Sequence, residues 1–497
     1  MTDLILQKVN FGHIDAEADR NLISYFLETD SYRRIFSGEK MYVLGRKGTG
    51  KSAIYLTLER LKNPYITVSG LTFDDYPWQI HNKIKDDSKS VDFAHVNTWK
   101  YIILLELAKL VIRENSGESQ EIKEVKSFLE SVYGSLNPSF KEFLVDKAKR
   151  IKCIELPKIS WKEIRLGKVE FEDKSAPEKN LVSNINVINS VLQEKLFKLL
   201  MRDKLYFIMF DKLDDGWDNS DDSKSSIIGL LRASRDLNLE SRKCHRMLRA
   251  VPFLRSDIYD CLQYNDKNKA YPDIEFLNWN PENLKIIINK RISTSLHIPE
   301  PEAWNAVFES KALARKTTNF NYIVKRTLLR PRDIIQFCAS CKNEALHHHH
   351  TQIHNDDIYN GEAPYSEFIY REFIDEAHKQ YPYIPQLFEV LRGIRYERFS
   401  YEQFENEYNQ LTSVKNQLNL NPTIALKILF DFSIIGVERV GGSAGGSSFE
   451  FKYTDSLIQP EFNRTMVIHP SLKKHLKLIE KRSSRMKVNS VTVVGGN

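Results

Sequence analysis

Residues 41–55 read MYVLGRKGTGKSAIY. Within them Gly45, Gly50, Lys51 and Ser52 satisfy G-x-x-x-x-G-K-[ST], a spacing suited to holding a chain of phosphates. The glycines let backbone N–H groups turn inward. Lys51 offers a cation to the terminal phosphates, and the Ser52 hydroxyl can ligate a hard divalent cation. The helix that follows points its positive end at the anion. Gly45, Arg46, Lys47, Gly48, Thr49, Gly50, Lys51, Ser52 and Ala53 are the expected phosphate contacts.

Elements must place this loop. Met41 to Leu44 is a short apolar strand, and Ser52 to Leu61 has helical periodicity. A second apolar run, Leu205 to Phe210, reads as a strand buried on both faces, and it ends in Asp211. An acid there, beside the loop, can hold the hydration shell of Mg²⁺. The expected ligand is therefore ATP with Mg²⁺, and the expected metal contacts are Ser52 and Asp211. Many ATPases with this arrangement place Glu directly after that Asp; here the position is Lys212. A charged lysine takes no proton from water. Asp214 is the preferred substitute base, with Asp215 next. The alternative is slow hydrolysis, with the bound nucleotide serving as a switch. Residues 246–258 read as another core strand, and Arg255 after it could stabilise charge on the γ-phosphate. Asn280-Pro281-Glu282 starts a helix whose apolar stripe is Leu284, Ile287, Ile288 and Ile292. In the stretch from Thr327 to Ile335, Pro331 can start another helix, from which Arg332 could reach a phosphate.

The chain has 497 residues, 41% hydrophobic and 28% charged, the balance of a soluble globular protein of several domains. No apolar run is long enough to span a bilayer, and the N-terminus lacks a secretory signal pattern. A cytoplasmic location is expected. Five cysteines make no disulfide framework, and a net charge of +6 permits nucleic-acid contact without arguing for it. Cys338 and Cys341 are expected to be core residues. The histidines from His347 to His354 are expected to form a solvated helix end.

The span 62–195 reads as a helical insertion, with helices near Trp99 to Ile112 and Val187 to Leu200. The C-terminal region reads as three helices, near 387–394, from Ser400 and from Asn421, followed by a hairpin. The last helix has a stripe of Ile424, Leu426, Ile428, Leu429 and Phe432, and the pattern predicts a winged helix. Its basic tail, residues 472–487, reads as a solvated helix face. The expected division is a nucleotide-binding domain over 1–275, a helical lid over 276–378, a winged helix over 379–487 and a tail over 488–497.

The order of loop, acid-ended strand, Arg-bearing strand, R-P-R-D lid and C-terminal domain resembles P-loop ATPases between the AAA+ initiator type and the STAND signalling type. The opening FGHIDAEAD at residues 11–19 is similar to a bacterial P-loop ATPase family that begins F-G-x-x-D-A-E. The resemblance implies an α/β fold with a parallel sheet and an ATPase; Lys212 in place of the usual Glu is the main departure from the pattern and points to slow turnover. The resemblance places Phe11 and Gly12 near the base, packs Pro331 beside it and makes Arg332 a second phosphate sensor. It also implies a contact from His469, in MVIHP, to a bound diphosphate. Two functions follow as expectations. One is an ATP-dependent switch that controls homo-oligomer assembly or a protein effector; bacterial proteins of this shape often act in defence against phage. The other is a DNA-binding ATPase of the origin-recognition or transposition-helper type. No membrane partner is expected.

Overall fold

The computed structural model describes residues 5–73, 91–139 without 116 and 118, 142, 181–265, 267–313, 316–411, 420–439, 448–455 and 458–479. Most of the polar stretch 140–180, the hairpin tip at 441–447, the basic run beyond 479 and the tail lie outside the described residues.

The chain divides into two compact units. Residues 10–303 with 330–335 form the first. Its centre is a five-stranded parallel sheet of β1 (Tyr42–Gly45), β2 (Ile66–Thr72), β3 (Leu205–Asp211), β4 (Met247–Arg255) and β5 (Ile274–Phe276). The strand order is β2-β3-β4-β1-β5. Tyr206 to Phe210 have no exposed surface, as a strand covered on both faces requires. Burying each such side chain stabilises the unit by about 1.5–3 kcal/mol. Helices Val91–Glu114 and Asp221–Lys243 pack against each other and this sheet, and Leu181–Leu199 packs on Val91–Glu114.

This is an α/β P-loop NTPase core, as the loop and strand patterns predict. One part differs from expectation. β2 lies inside the span read as a helical insertion, yet it pairs with β3 along its whole length. Its sequence, ITVSGLT, carries too few apolar residues to signal a core strand, because it forms the sheet edge. The helix Pro281–Leu296 also belongs to this unit rather than to a separate lid. Asn280 caps it by accepting from the Asn283 N–H at 2.8 Å.

The second unit contains residues 304–329 and 336 onward, with the described part of 1–9. Helices Ile384–Ile394, Tyr401–Gln410 and Pro422–Asp431 precede or flank an antiparallel sheet. Its strands are β6 (Arg398–Phe399), β7 (Ile435–Arg439), β8 (Ser448–Glu450) and β9 (Met466–Ile468), in the order β6-β9-β7-β8. Ser400 and Gln403 form a capping box that fixes the second helix start. The expected stripe of the third helix is corrected at Ile424, which is 50% exposed, while Ala425 takes the buried position. The described part of the basic run is not a helix. After a 3-10 turn at Pro470–Leu472 it winds so that Leu476 and Leu478 are buried and Lys474 and Lys477 are exposed. Among the described residues, no helix is long and apolar enough to cross a membrane.

Candidate functional site

The parallel strands end on one edge of the sheet, where open α/β sheets bind ligands. Gly45 at the end of β1 lies in register with Arg255 at the end of β4. Asp211 ends β3, on the other side of β4. The loop between β1 and the helix Lys51–Glu59 closes over this edge. Gly50 has φ +92°, a left-handed conformation that a side chain would strain, and it caps the helix. Thr49 Oγ1 donates to the Arg46 carbonyl at 2.8 Å, and the Trp279 indole N–H donates to the Thr49 carbonyl at 2.9 Å. The turn is thus held from inside and outside.

Lys51 Nζ donates to the Gly45 carbonyl at 2.9 Å and the Arg46 carbonyl at 3.1 Å. Burial lowers its pKa from the ordinary lysine value, while Asp214 and Asp211 act in the opposite direction. Asp211 is 3% exposed and accepts a hydrogen bond from Ser52. Burial pushes its carboxyl up to about 6, against the lowering effects of Ser52 and Lys51. A hydroxyl and a buried carboxylate side by side are hard oxygen donors. They fit Mg²⁺, which binds through few protein oxygens plus phosphates and water.

The raised Asp211 value makes a prediction for the protein alone. A folded pKa near 6 against 3.8 unfolded stabilises the fold fully below 3.8, and that contribution is lost as pH rises through 6. Between pH 5 and pH 8 the wild type should lose about 1–2 kcal/mol more than Asp211→Asn, which lacks the titration. Urea unfolding of both proteins at the two pH values measures this. Parallel pH dependence would contradict the assignment.

Two neighbouring cavities meet at the loop. The first lies on the side of the loop that carries Gly50, Ala53 and Ile54. Leu22, Phe26, Ile54, Leu277, Trp279 and Pro331 give it an apolar lining. The second is a polar cleft lined by Lys47, Gly48, Gly50, Lys51, Ser52, Ala53, Asp211, Asp214, Asp215, Arg255, Pro331 and Arg332. The structure thus brings most of the expected site residues to one place. Arg255 is held by Asp257 through two bonds of 3.1 and 2.7 Å, with Asp214 3.6 Å away. Arg332 pairs with Asp15 at 2.9 Å.

The structure also places Phe11, Gly12 and His469. Phe11 and Gly12 do not line the apolar cavity. Phe11 is buried, and its carbonyl instead accepts from Arg291 at 2.7 Å. Gly12 has φ +77°, and a Cβ there would lie 1.7 Å from that guanidinium. Both therefore position Arg291, which lines the two cavities. His469 has no exposed surface; its ring lies edge-on to Phe451 and Tyr453 in the second unit.

Sequence patterns missed a network behind the cavities. Arg291 donates to Asp19 at 2.9 Å and lies 4.2 Å over the Tyr25 ring, and the Tyr25 hydroxyl bonds Asp19. Burial raises the Tyr25 hydroxyl well above its ordinary value, so it stays protonated. A signal for Arg291 was present. It lies three and four residues past Ile288 and Ile287, on the buried stripe of its helix, where an unpaired charge would be costly. Lys212 has φ +58°, and its ammonium is 3.6 Å from Glu17 of the FGHIDAEAD segment.

Comparison with known proteins adds a partial frame. Residues 282–374 match the model of the FunZ-associated C-terminal helical domain. The chain is 24% identical over 491 residues to the 80.3 kDa protein ascribed to transposon gamma-delta in Escherichia coli (strain K12). That match covers 93% of this chain, which spans 66% of the relative's length. Among solved structures, the Aeropyrum pernix ORC1 protein in complex with DNA aligns over 96% of each chain at 12% identity, with a TM-score of 0.35. Drosophila ORC bound to DNA aligns over 93% of this chain and 90% of its own, at 10% identity and a TM-score of 0.28.

Proposed function

We propose that this chain is a Mg²⁺-dependent ATP-binding switch that hydrolyses its nucleotide slowly. The observation that carries this is the convergence of Lys51, Ser52, Asp211, Asp214 and Arg255 on one cleft beside an apolar cavity. The cavity would take the base, with Trp279 and Pro331 against it. The cleft would take the phosphates. When bound, Mg²⁺ would supply charge neutralisation for the β- and γ-phosphates. Ser52 and Asp211 would hold it, and Lys51 would swing from its loop carbonyls to the phosphate oxygens. Arg255 would report the γ-phosphate.

Slow turnover follows from Lys212. The acid that commonly follows the metal-binding Asp is replaced by a cation paired with Glu17. Asp214 is left to orient water while also facing Arg255. A slow engine with a γ-phosphate sensor is suited to holding a state, and the response would be self-assembly or engagement of a protein effector, in a setting such as defence against phage. Calorimetric titration tests the core of this reading. Mg-ATP should bind one to one, and removal of Mg²⁺ with EDTA should weaken it. Absence of binding at millimolar Mg-ATP would overturn the proposal.

A second reading is favoured by the similarity to a protein ascribed to a transposon, which extends over nearly the whole chain. In it the C-terminal helices and sheet form a winged helix that holds duplex DNA, assisted by Lys473, Lys474 and Lys477. Binding would then fall steeply with salt, and alanine at the three lysines would reduce both affinity and salt slope. No binding at low salt would eliminate it.

A further inference from the structure

The helix Pro331–His347 ends in a run of four histidines, His347 to His350. The end is closed by two backbone bonds, from the His349 N–H to the Leu346 carbonyl at 3.1 Å and from the His350 N–H to the Ala345 carbonyl at 2.8 Å. His349 adopts φ +57°, which reverses the chain direction. The reversal brings the rings on either side of His349 to the same target. His348 Nδ1 is 3.0 Å from Asp357 Oδ1, and His350 Nδ1 is 2.8 Å from Asp357 Oδ2.

Asp357 lies in the first turn of the helix Asn355–Ala377 and its side chain has no exposed surface. The His354 N–H donates to its Oδ2 at 2.9 Å, which fixes the carboxylate. The two histidines are 38% and 30% exposed, so solvent reaches their rings. One donor atom from each of the three residues lies within 4.8 Å of the others. Tetrahedral zinc with bonds of 2.0–2.1 Å holds its donor atoms about 3.3 Å apart, so small rotations of the exposed rings suffice.

We propose that His348, His350 and Asp357 form a binding site for a borderline divalent cation, with Zn²⁺ the best match. Two imidazoles and one carboxylate suit zinc better than Mg²⁺ or Ca²⁺, which take oxygen donors. Neutral histidines would coordinate through Nδ1. Each Nδ1 proton that now faces Asp357 would be given up to solvent as Nε2 takes one, with no net change per ring. Asp357 would stay ionised. Three protein donors leave a fourth position for water, and the open pocket beside His348, His350 and Tyr359 accommodates it. The bound ion would staple the end of one helix to the start of the next. The site is independent of the nucleotide reading.

The test uses the full chain without an affinity tag, stripped with EDTA and then titrated with Zn²⁺ against a chromophoric chelator. One equivalent should bind at about micromolar affinity or tighter. His348→Ala and His350→Ala should each weaken binding by at least about tenfold. His347→Ala and His349→Ala, which are not among the three residues of the cluster, should leave it unchanged. Co²⁺ should give visible absorption of a tetrahedral site, lost in the His348→Ala/His350→Ala double variant. Circular dichroism of each variant confirms the fold. No stoichiometric binding, equal weakening by all four substitutions, or retention in the double variant would overturn the proposal.

Discussion

Lys51→Ala should lower affinity for Mg-ATP by at least about a hundredfold while leaving the fold intact. The reason lies in what the ammonium now does. Its bonds to the Gly45 and Arg46 carbonyls are local and exchangeable for phosphate oxygens at the same loop. Charge-assisted bonds contribute about 1.5–3 kcal/mol each, so the loss of two exceeds the roughly 2.7 kcal/mol of a hundredfold change. Stability should change little, because the ammonium is partly desolvated and its removal relieves that cost. Calorimetric titration gives the affinity, and thermal unfolding without nucleotide gives the stability. An affinity within threefold of wild type would place the phosphates elsewhere.

Asp214→Asn should separate binding from turnover. Positioned acid–base groups contribute about 10²–10⁴-fold to rate. Steady-state phosphate release should fall by at least about a hundredfold, with Mg-ATP affinity held within threefold. The side chain lines the cleft near Arg255 but is not among the residues that fix the loop. If turnover persists, Asp215 or Glu17, which also line the cleft, become the groups to substitute next.

Much of the first unit was legible because its signals are local. The loop glycines, the unbroken apolar run ending in Asp211 and the Asn280-Pro281 helix start each owe their form to residues adjacent in sequence. The limits of β1, β3 and the helix after the loop fell within two residues of the patterns, while the helices Val91–Glu114 and Leu181–Leu199 begin eight and six residues before the expected starts. The edge strand β2 was hidden because only a few of its side chains are buried. The link from Phe11 and Gly12 to Arg291 was hidden because Arg291 lies 280 residues from Phe11 along the chain, and no spacing rule connects the two. His348 and His350 are partly solvent-exposed, as expected of a solvated helix end, but a run of like residues carries no period that would signal their shared partner. What gathers them is the reversed backbone at His349 and a buried acid seven residues beyond His350.

On the proposed reading, the loop at Gly45–Ser52 holds nucleotide rather than turning it over rapidly. Sedimentation velocity of the Asp214→Asn protein, with saturating Mg-ATP and separately with Mg-ADP, tests that claim most directly. A nucleotide-dependent switch predicts different sedimentation coefficients or masses for the two states, with Lys51→Ala giving one distribution under both. Identical distributions for Asp214→Asn with ATP and ADP, under conditions where both are shown to be bound, would contradict it.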